Sequence, residues 1–319
     1  MKRINIYLIF LSMLVLTSCD NFLDIKPVGK VIPTTYQDYR DLITNAYESV
    51  PTDRSLSTVC GDELQLKYDD WGDYLPYKSI FVWNNVNPDN NTLDFPWQEF
   101  YKVILNANQV IISGKNATQG TSTEISQLLG EAYLMRAYMH FSLASLYSDV
   151  YNQDNLNKES IPLATTIDVW KNYKRNTIGE VYSQIFSDID EGISYLNVDE
   201  QTKGLNYRFS RVSAYGFAAR VYAYTGNWDK VLEYAKQAFD IDHKLVNLNE
   251  PSAVLPEAYT SDENVLAMEQ TFYSELKTRF YISDKLVDTY DQFVVLLFNE
   301  YFFASGSNYS SNIGYSHDN

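Results

Sequence analysis

Apolar side chains recur every three or four residues along most of this chain, which is the spacing of one face of an α-helix. Near the start, Tyr36, Tyr39 and Ile43 mark such a face. The pattern predicts helices at residues 35–47, 97–112, 124–147, 177–196, 210–225 and 228–241. Residues 51–96 and 148–176 have no sustained period and are expected to form long irregular loops. The chain is therefore expected to have a mainly all-α fold.

The clearest pair of predicted helices is the stretch "SAYGFAARVYAYTGNWDKVLEYAKQAFDID", which resembles a tetratricopeptide repeat. Gly226 would end the first helix, and Ala218 and Ala235 would let neighbouring helices approach closely. Residues 97–112 with 124–147, and 124–147 with 177–196, would form weaker relatives of this pair. We therefore expect a tetratricopeptide-repeat-like helical scaffold that carries the loops.

The N-terminus has the pattern of an export signal. Lys2 and Arg3 precede a mostly apolar run at 4–16, which is too short for a membrane span of ~20 residues. The sequence Leu-Thr-Ser-Cys that follows resembles the lipobox of bacterial lipoproteins. This predicts a signal peptide at 1–18, lipidation of Cys19 and a lipidated tether at 19–34. The alternative is an ordinary signal peptide with an incidental cysteine.

The charge and the aromatic content narrow the choice of ligands. The chain has 41 acidic and 25 basic residues, a net charge of −16, which becomes −18 without Lys2 and Arg3. Such a balance argues against a nucleic-acid partner. The 27 Tyr, 16 Phe and 5 Trp exceed what a core usually needs and favour an amphipathic binding surface. Packing of tyrosines between helices is the alternative for most of them.

Five segments resemble, in order, the successive blocks of the SusD/RagB-like outer-membrane nutrient-binding lipoproteins of the Bacteroidetes. They read "CDNFLDIKPVGKVIPTTYQDYRDLI", "WQEFYKVILNANQVI", "GEAYLMRAYMHFSLASLYSDV", "RNTIGEVYSQIFSDIDEGISYL" and "RFSRVSAYGFAARVYAYTGNWDKVLEYAKQAFD". The resemblance implies a SusD-like helical domain at 35–290. Family members are usually much longer, and here the apolar run "QFVVLLF" follows the last recognisable block. We expect 291–319 to be an atypical tail of a truncated reading frame; a natural short variant is the alternative.

The resemblance implies transport without chemical turnover. SusD-like proteins sit on a SusC-like TonB-dependent outer-membrane importer and deliver oligosaccharides, or in some members peptides, into it. By this resemblance, the chain would be a cell-surface lipoprotein that is held in the outer membrane by its lipid anchor. Its partners would be a SusC-like transporter and an oligosaccharide ligand, and it would need no cofactor.

A sugar presents apolar C–H faces to aromatic rings and hydroxyl groups to polar side chains. The stretch "KYDDWGDYLPYKSIFVWNN" holds both kinds of partner in a loop region, where binding residues concentrate. The candidate ligand-binding residues are Trp71, Asp73, Tyr74, Tyr77 and Asn84. The alternative for Trp71 is a loop aromatic that fills the scaffold. For Trp83, which is flanked by Phe81 and Val82, packing in the scaffold is the favoured interpretation.

Motifs of known enzyme classes were not found. His140, His243 and His317 have no metal-like spacing to one another or to cysteine, and His140, between Met139 and Phe141, is expected to be a packed scaffold residue. No catalytic or metal-binding residues are predicted. Carboxylates are abundant, so a lipid-anchored all-α glycoside hydrolase stays as the alternative function. A truncated fragment of the family that folds but binds nothing is the other alternative.

Overall fold

The computed structural model describes residues 33–51, 54–66, 75–256, 258–268 and 280–289. The predicted signal peptide and the tail at 291–319 lie outside the described residues. So does the predicted tether up to residue 32.

The described part of the chain is mainly helical. Its helices are α1 (Tyr36–Glu48), α2 (Arg54–Val59), α3 (Leu75–Phe81), α4 (Trp97–Ser113), α5 (Ser122–Tyr147), α6 (Ile178–Tyr195), α7 (Arg211–Tyr224), α8 (Trp228–Ile241) and α9 (Asp284–Val287). A single 3₁₀ turn at Gly114–Asn116 follows α4, and β1 (Leu64–Leu66) pairs antiparallel with β2 (Phe280–Ile282). All six predicted helices are confirmed to within two residues at each end. The short elements α2, α3 and β1 were not predicted, because they contain too few residues to show a period.

Three of the long helices begin with the same reciprocal cap between a threonine and an acidic residue. Before α6, the backbone N–H of Thr177 donates to Glu180 Oε2 at 2.9 Å, and the N–H of Glu180 donates to Thr177 Oγ1 at 3.2 Å. The hydrogen bond from the Thr177 backbone is the largest cause of a lowered pKa of Glu180. Equivalent capping boxes precede α1 and α5. Each one satisfies backbone donors that the first helical turn leaves without a partner, so the sequence itself sets these helix starts.

The long helices pack in series from α4 to α8, each against the next, and α1 packs against both α4 and α5. Two glycines let α5 and α6 cross closely. A Cβ atom on Gly130 would lie 2.8 Å from the carbonyl oxygen of Gly192, and one on Gly192 would lie 2.6 Å from Cγ of Leu134. Larger residues at these two positions would push the helices apart.

The last helix pair corrects one expectation. Ala218 is fully buried, as predicted, but Ala235 is exposed and faces no neighbouring helix of the described chain. Helix α8 packs on α7 through Tyr234, which is buried, and it turns Leu232 and Phe239 to the outside. The prediction for Ala235 is wrong because α8 is the last helix of the described stack, so only one of its faces is covered.

A buried carboxylate joins the first half of the stack to the second. Glu131, on α5, is fully buried and accepts hydrogen bonds from Arg40 on α1 at 2.8 Å and from Arg208 at 2.8 Å. Tyr47 donates its hydroxyl to the same carboxylate at 3.3 Å and accepts the backbone N–H of Phe209 at 3.0 Å. Burial alone would raise the pKa of Glu131, but the two arginines outweigh it and lower the pKa below its ordinary value. The carboxylate is therefore held in its charged form.

A second buried ion pair lies farther along α5. Arg136 donates to both carboxylate oxygens of Asp188 on α6, at 2.8 and 2.6 Å, and to Asn108 Oδ1 on α4 at 2.8 Å. Asn108 in turn donates to the carbonyl oxygens of Ala164 and Thr166, at 2.9 and 3.1 Å. The pair therefore fixes three helices and the loop between α5 and α6 in one arrangement.

We expect Glu131→Gln to destabilise the fold strongly. The substitution keeps the shape of the side chain but removes the negative charge that two buried or nearly buried arginines share. Breaking a buried ion pair in this way costs about 3–5 kcal/mol, because a charge is left without compensation. Denaturant unfolding would measure the change. The matched control is Glu233→Gln, which breaks the exposed pair with Lys230 and should have little effect. Equal effects of the two variants would contradict the assignment.

The second prediction concerns acid stability. His140 is fully buried, as expected, and neither ring nitrogen has a hydrogen-bond partner among the described residues. Burial, and then the charge of Arg136, lower its pKa from 6.5 to about 3, so the folded state holds a neutral ring. Below pH 6.5 His140 binds a proton in the unfolded chain, whereas in the folded chain it stays neutral. The free energy of unfolding is therefore unaffected by this protonation above pH 6.5 and decreases as the pH falls towards 3.

Acidification should lower the free energy of unfolding less in His140→Leu than in the original chain. The difference should be up to about 1.4 kcal/mol per pH unit between pH 6.5 and 3. At pH 7 the variant should be as stable as the original chain or more stable, because two unsatisfied polar atoms leave the core. Unfolding free energies of both proteins across pH 3–7 would test this. Because both proteins keep Glu131 and Asp188, their difference isolates His140. Parallel pH profiles would rule the mechanism out.

Candidate functional site

The region between α1 and α4 has a small core of its own. The buried members of this second cluster are Leu56, Val59, Tyr77, Ile80 and Phe280. The β1–β2 ladder brings residues 280–282 to this region, with Leu64 opposite Ile282 and Leu66 opposite Phe280. An exposed ion pair between Asp62 and Lys285 and a hydrogen bond from the N–H of Ser283 to the carbonyl of Glu63, at 2.8 Å, extend the contact. A region that the sequence presents as loop is therefore anchored by a packed cluster.

Tyr77 belongs to this cluster. Its side chain is 1% exposed, and its ring centroid lies 6.0 Å from that of Phe280 in an edge-to-face arrangement. A ring that stacks on a sugar needs an exposed face. The ring of Tyr77 has none, because it is buried and packed against its neighbours. The structure therefore places Tyr77 among the core residues and not at the surface, where the sequence analysis expected it.

Trp83 shows the opposite behaviour. Its side chain is 68% exposed, although packing in the scaffold was the favoured interpretation. The residue follows the end of α3 with a φ of 55°, in the left-handed region. This conformation belongs to the cap that ends α3, in which the N–H of Trp83 donates to the carbonyl of Ile80 at 3.1 Å and the N–H of Asn84 donates to the carbonyl of Ser79 at 2.8 Å. The indole N–H donates to the carbonyl oxygen of Cys60 at 3.1 Å. The expectation for Trp83 is corrected: its ring is held at the surface by one hydrogen bond.

We call residues 82–93 the Trp83 loop. Asn84 donates its side-chain amide to the carbonyl of Asn87 at 2.8 Å and accepts the N–H of Asn87 at 3.4 Å. Ser79 Oγ accepts the N–H of Asp89 at 2.9 Å, and the N–H of Leu93 donates to the carbonyl of Pro76 at 2.9 Å. These bonds give the loop a defined shape. An amide side chain has four hydrogen-bonding positions, so exposed Asn84 keeps two for a ligand.

Four predicted site residues lie outside the described residues. They are Cys19, Trp71, Asp73 and Tyr74. Their assignments as the lipidation site and as ligand-binding residues stay predictions. Of the sequence-predicted ligand residues, only Tyr77 and Asn84 can be placed, and only Asn84 is at the surface.

The sequence analysis missed an open aromatic groove of about 550 Å³ beside the turn between α7 and α8. It is lined by the rings of Tyr151, Phe186, Tyr222 and Trp228, with Gln153, Asn227 and Asp229 among the polar groups. Phe186 and Tyr222 stack with ring centroids 4.6 Å apart, and Trp228 is 65% exposed. One feature of the sequence could have indicated this groove. Trp228 is the first residue of a predicted helix, where no preceding helical turn can cover its ring.

Neither a metal centre nor a membrane helix is seen where the structure describes the chain. No group of three or more His, Cys, Asp or Glu side chains among the described residues could hold a metal ion. Within the same ranges, no helix combines the length and the apolar character that crossing a bilayer requires.

Comparison with known proteins identifies one family. Residues 21–223 match the model of a SusD-like family that is described as starch-binding and associating with the outer membrane. The SusD-like protein P38 of Formosa agariphila is 26% identical over 238 residues, which are 72% of this chain and 44% of that protein. The resemblance drawn from the five sequence blocks is therefore confirmed.

Solved structures show the same fold. A SusD superfamily protein from Bacteroides thetaiotaomicron has a TM-score of 0.61 at 20% identity, over 80% of this chain and 61% of that one. A SusD-like carbohydrate binding protein from Bacteroides vulgatus has a TM-score of 0.58 at 16% identity, over 68% of this chain and 47% of that one. The chain thus spans less than two thirds of the length of each of these relatives.

The burial of Tyr77 and the exposure of Trp83 predict opposite effects of truncation. Tyr77→Ala should destabilise the fold by about 3–5 kcal/mol, as is usual when a large buried ring is removed. Trp83→Ala should cause a much smaller change, because most of its ring is already in water. Thermal and denaturant unfolding of both variants would measure the two effects. A Tyr77→Ala protein with unchanged stability would show that the second cluster does not hold the region together.

Proposed function

The chain belongs to the SusD-like family, and on this premise we propose that it captures oligosaccharides at the cell surface for a SusC-like TonB-dependent outer-membrane transporter. The family description, starch-binding and associating with the outer membrane, supports both the ligand class and the place. The related Bacteroides vulgatus structure is that of a carbohydrate binding protein, which agrees with this ligand class.

We further propose that lipid on Cys19 anchors the chain. The substitution Cys19→Ala would then release the chain from the membrane fraction of cells that lack the transporter.

The exposed, strained Trp83 is the observation that carries the proposal for the ligand surface. A bulky residue with positive φ is rare, and such strain costs about 1–3 kcal/mol unless the surroundings impose it. Here Trp83 takes the left-handed position that ends α3, and its indole ring lies at the surface. Strained backbone of this kind clusters at ligand-binding sites. Trp83 is therefore assigned as the stacking platform of the described part of the site.

Polar groups next to this ring suit the hydroxyl groups of a sugar. Asn84 keeps free hydrogen-bonding positions, and the neighbouring Asn85 is also exposed. Amide side chains both donate and accept, so they match hydroxyl groups, which do the same. The predicted residues Trp71, Asp73 and Tyr74 belong to the same sequence region and complete the proposed site.

The described residues give no observation in favour of the alternative function, glycoside hydrolysis. Such enzymes act through two carboxylates that flank the scissile bond. The buried carboxylates of the described chain, Glu131 and Asp188, are instead bound by arginines inside the helical stack. A substrate could not reach either of them without unfolding the stack.

Three exposed tryptophans allow a matched test of the proposed surface. Trp83, Trp170 and Trp228 are 68%, 89% and 65% exposed, so each substitution by alanine deletes a mostly exposed aromatic ring. The full chain and the three variants would be titrated with soluble starch and with laminarin by affinity electrophoresis. Trp83→Ala should weaken glycan binding roughly two- to ten-fold, the effect of one stacked aromatic ring. Trp170→Ala and Trp228→Ala should leave the binding of these neutral glycans unchanged.

Two results would overturn parts of the proposal. Weaker binding of Trp228→Ala with full binding of Trp83→Ala would move the site to the aromatic groove. Equal binding of all four proteins would remove the described tryptophans from the neutral-glycan site. Melting curves of the variants would show that any loss of binding is not a loss of folding.

A further inference from the structure

The loop between α5 and α6 lines a second open cavity, of about 370 Å³, whose charge is unlike that of the rest of the chain. Lys171, Lys174 and Arg175 line it, and none of its lining residues is acidic. The chain as a whole has a net charge of −16. Three cations around one cavity in so acidic a protein make a local region of positive potential. We call it the cationic cavity.

Lys171, Lys174 and Arg175 form no ion pair with an acidic side chain of the described residues. The ion pairs of the described residues involve other lysines and arginines, such as Lys158 with Asp149 and Arg211 with Asp199. Lys171 instead places its ammonium group 5.0 Å from the ring centroid of Tyr173. Like charges held close together repel one another, and a bound anion would relieve this repulsion. The cavity is therefore suited to a ligand with negative charge.

Hydrogen bonds hold together the loop that lines the cavity. The N–H of Ser160 donates to the carbonyl of Asn176 at 2.7 Å, and Asn176 Oδ1 accepts the N–H of Leu163 at 3.0 Å. The hydroxyls of Thr166 and Tyr173 lie 2.8 Å apart. Hydrogen bonds thus fix the shape of the loop before any ligand binds.

The buried ion pair supports the same loop from inside. Asn108, which is held by Arg136, donates to the carbonyls of Ala164 and Thr166. Gln184 lines the cavity and donates to Asp188, the partner of Arg136, at 2.9 Å. Hydrogen bonds therefore connect the loop that carries the cations to the buried ion pair of the core.

An exposed tryptophan adjoins the first of these cations in the sequence. Trp170 is 89% exposed and directly precedes Lys171, and its backbone N–H donates to Asp168 Oδ1 at 2.9 Å. An indole face suits the apolar side of a pyranose ring, while lysine and arginine suit a carboxylate or a sulfate. The amides of Asn172 and Gln184, in the cavity lining, suit the hydroxyl groups. Ring, cations and amides together match one kind of ligand.

We propose that the cationic cavity, with Trp170, binds a sugar unit that carries a carboxylate or sulfate group. The inference rests on the proposed glycan-binding function and adds acidic polysaccharides as the ligand class of a second site, separate from the Trp83 loop. A phosphate on a membrane surface would share the negative charge. A concave cavity with amide groups favours the saccharide, because a flat lipid surface could not fill it.

The test compares ligands and matched variants of the full chain. Polygalacturonate is the acidic probe, soluble starch the neutral one and phosphatidylglycerol vesicles the lipid one. The variant K171Q/K174Q/R175Q removes the three cations; the control K102Q/K115Q/K236Q removes three exposed cations elsewhere. The cavity variant should bind polygalacturonate at least about ten-fold more weakly, since charge-assisted contacts are lost, and the control should bind as the original chain. Trp170→Ala should also weaken binding, and added salt should weaken it in the original chain.

Several outcomes would overturn the inference. They are full polygalacturonate binding by the cavity variant, an equal loss in the control variant, and binding to the vesicles without binding to polygalacturonate. Failure here is distinguishable from failure of the proposed function, because starch binding that depends on Trp83 would persist in the cavity variant. Far-UV circular dichroism would check that both triple variants keep the helical fold.

Discussion

The packing of the helical stack depends on the buried carboxylate of Glu131. Two guanidinium groups, from Arg40 and Arg208, meet on it, and the hydroxyl of Tyr47 joins them. These partners come from α1 and from the segment that precedes α7, regions far apart in sequence. Apolar packing alone would tolerate small shifts of one helix along another, whereas charged hydrogen bonds require a fixed geometry. The carboxylate therefore determines how the first helix and the later helices are placed on α5.

Arg136 extends this arrangement to the other side of α5. Five residues along a helix correspond to about 140° around its axis, so Glu131 and Arg136 face different neighbours. Glu131 binds α1 and the segment before α7, and Arg136 binds Asp188 on α6 and Asn108 on α4. A central helix with opposite charges on two faces holds nearly every other long helix. The two loops that carry the proposed ligand surfaces can then vary in sequence without loss of the fold.

The long helices could be predicted from the sequence because their period and their caps are local signals. The positions of Tyr77 and Trp83 could not, because they depend on a distant segment. Tyr77 packs against Phe280, some two hundred residues later, whereas Trp83 follows the end of α3 and is mostly exposed. The two rings lie six residues apart, and the sequence analysis assigned each to the opposite environment. The prediction for Ala235 was wrong for a related reason. A repeat motif predicts neighbouring helices on both sides of each helix, but within the described chain α8 has a neighbour on one side only.

The left-handed conformation of Trp83 links this distant packing to the proposed function. A glycine at that position would adopt the same backbone without strain, so folding alone gives no reason for a tryptophan there. Hydrophobic burial gives none either, because most of the ring stays in water. The hydrogen bond from the indole to the carbonyl of Cys60 stabilises the arrangement in part and fixes the direction of the ring. We therefore explain this exposed tryptophan by what its ring would contact in the proposed function. A flat apolar face beside free amide groups is the surface that a sugar requires.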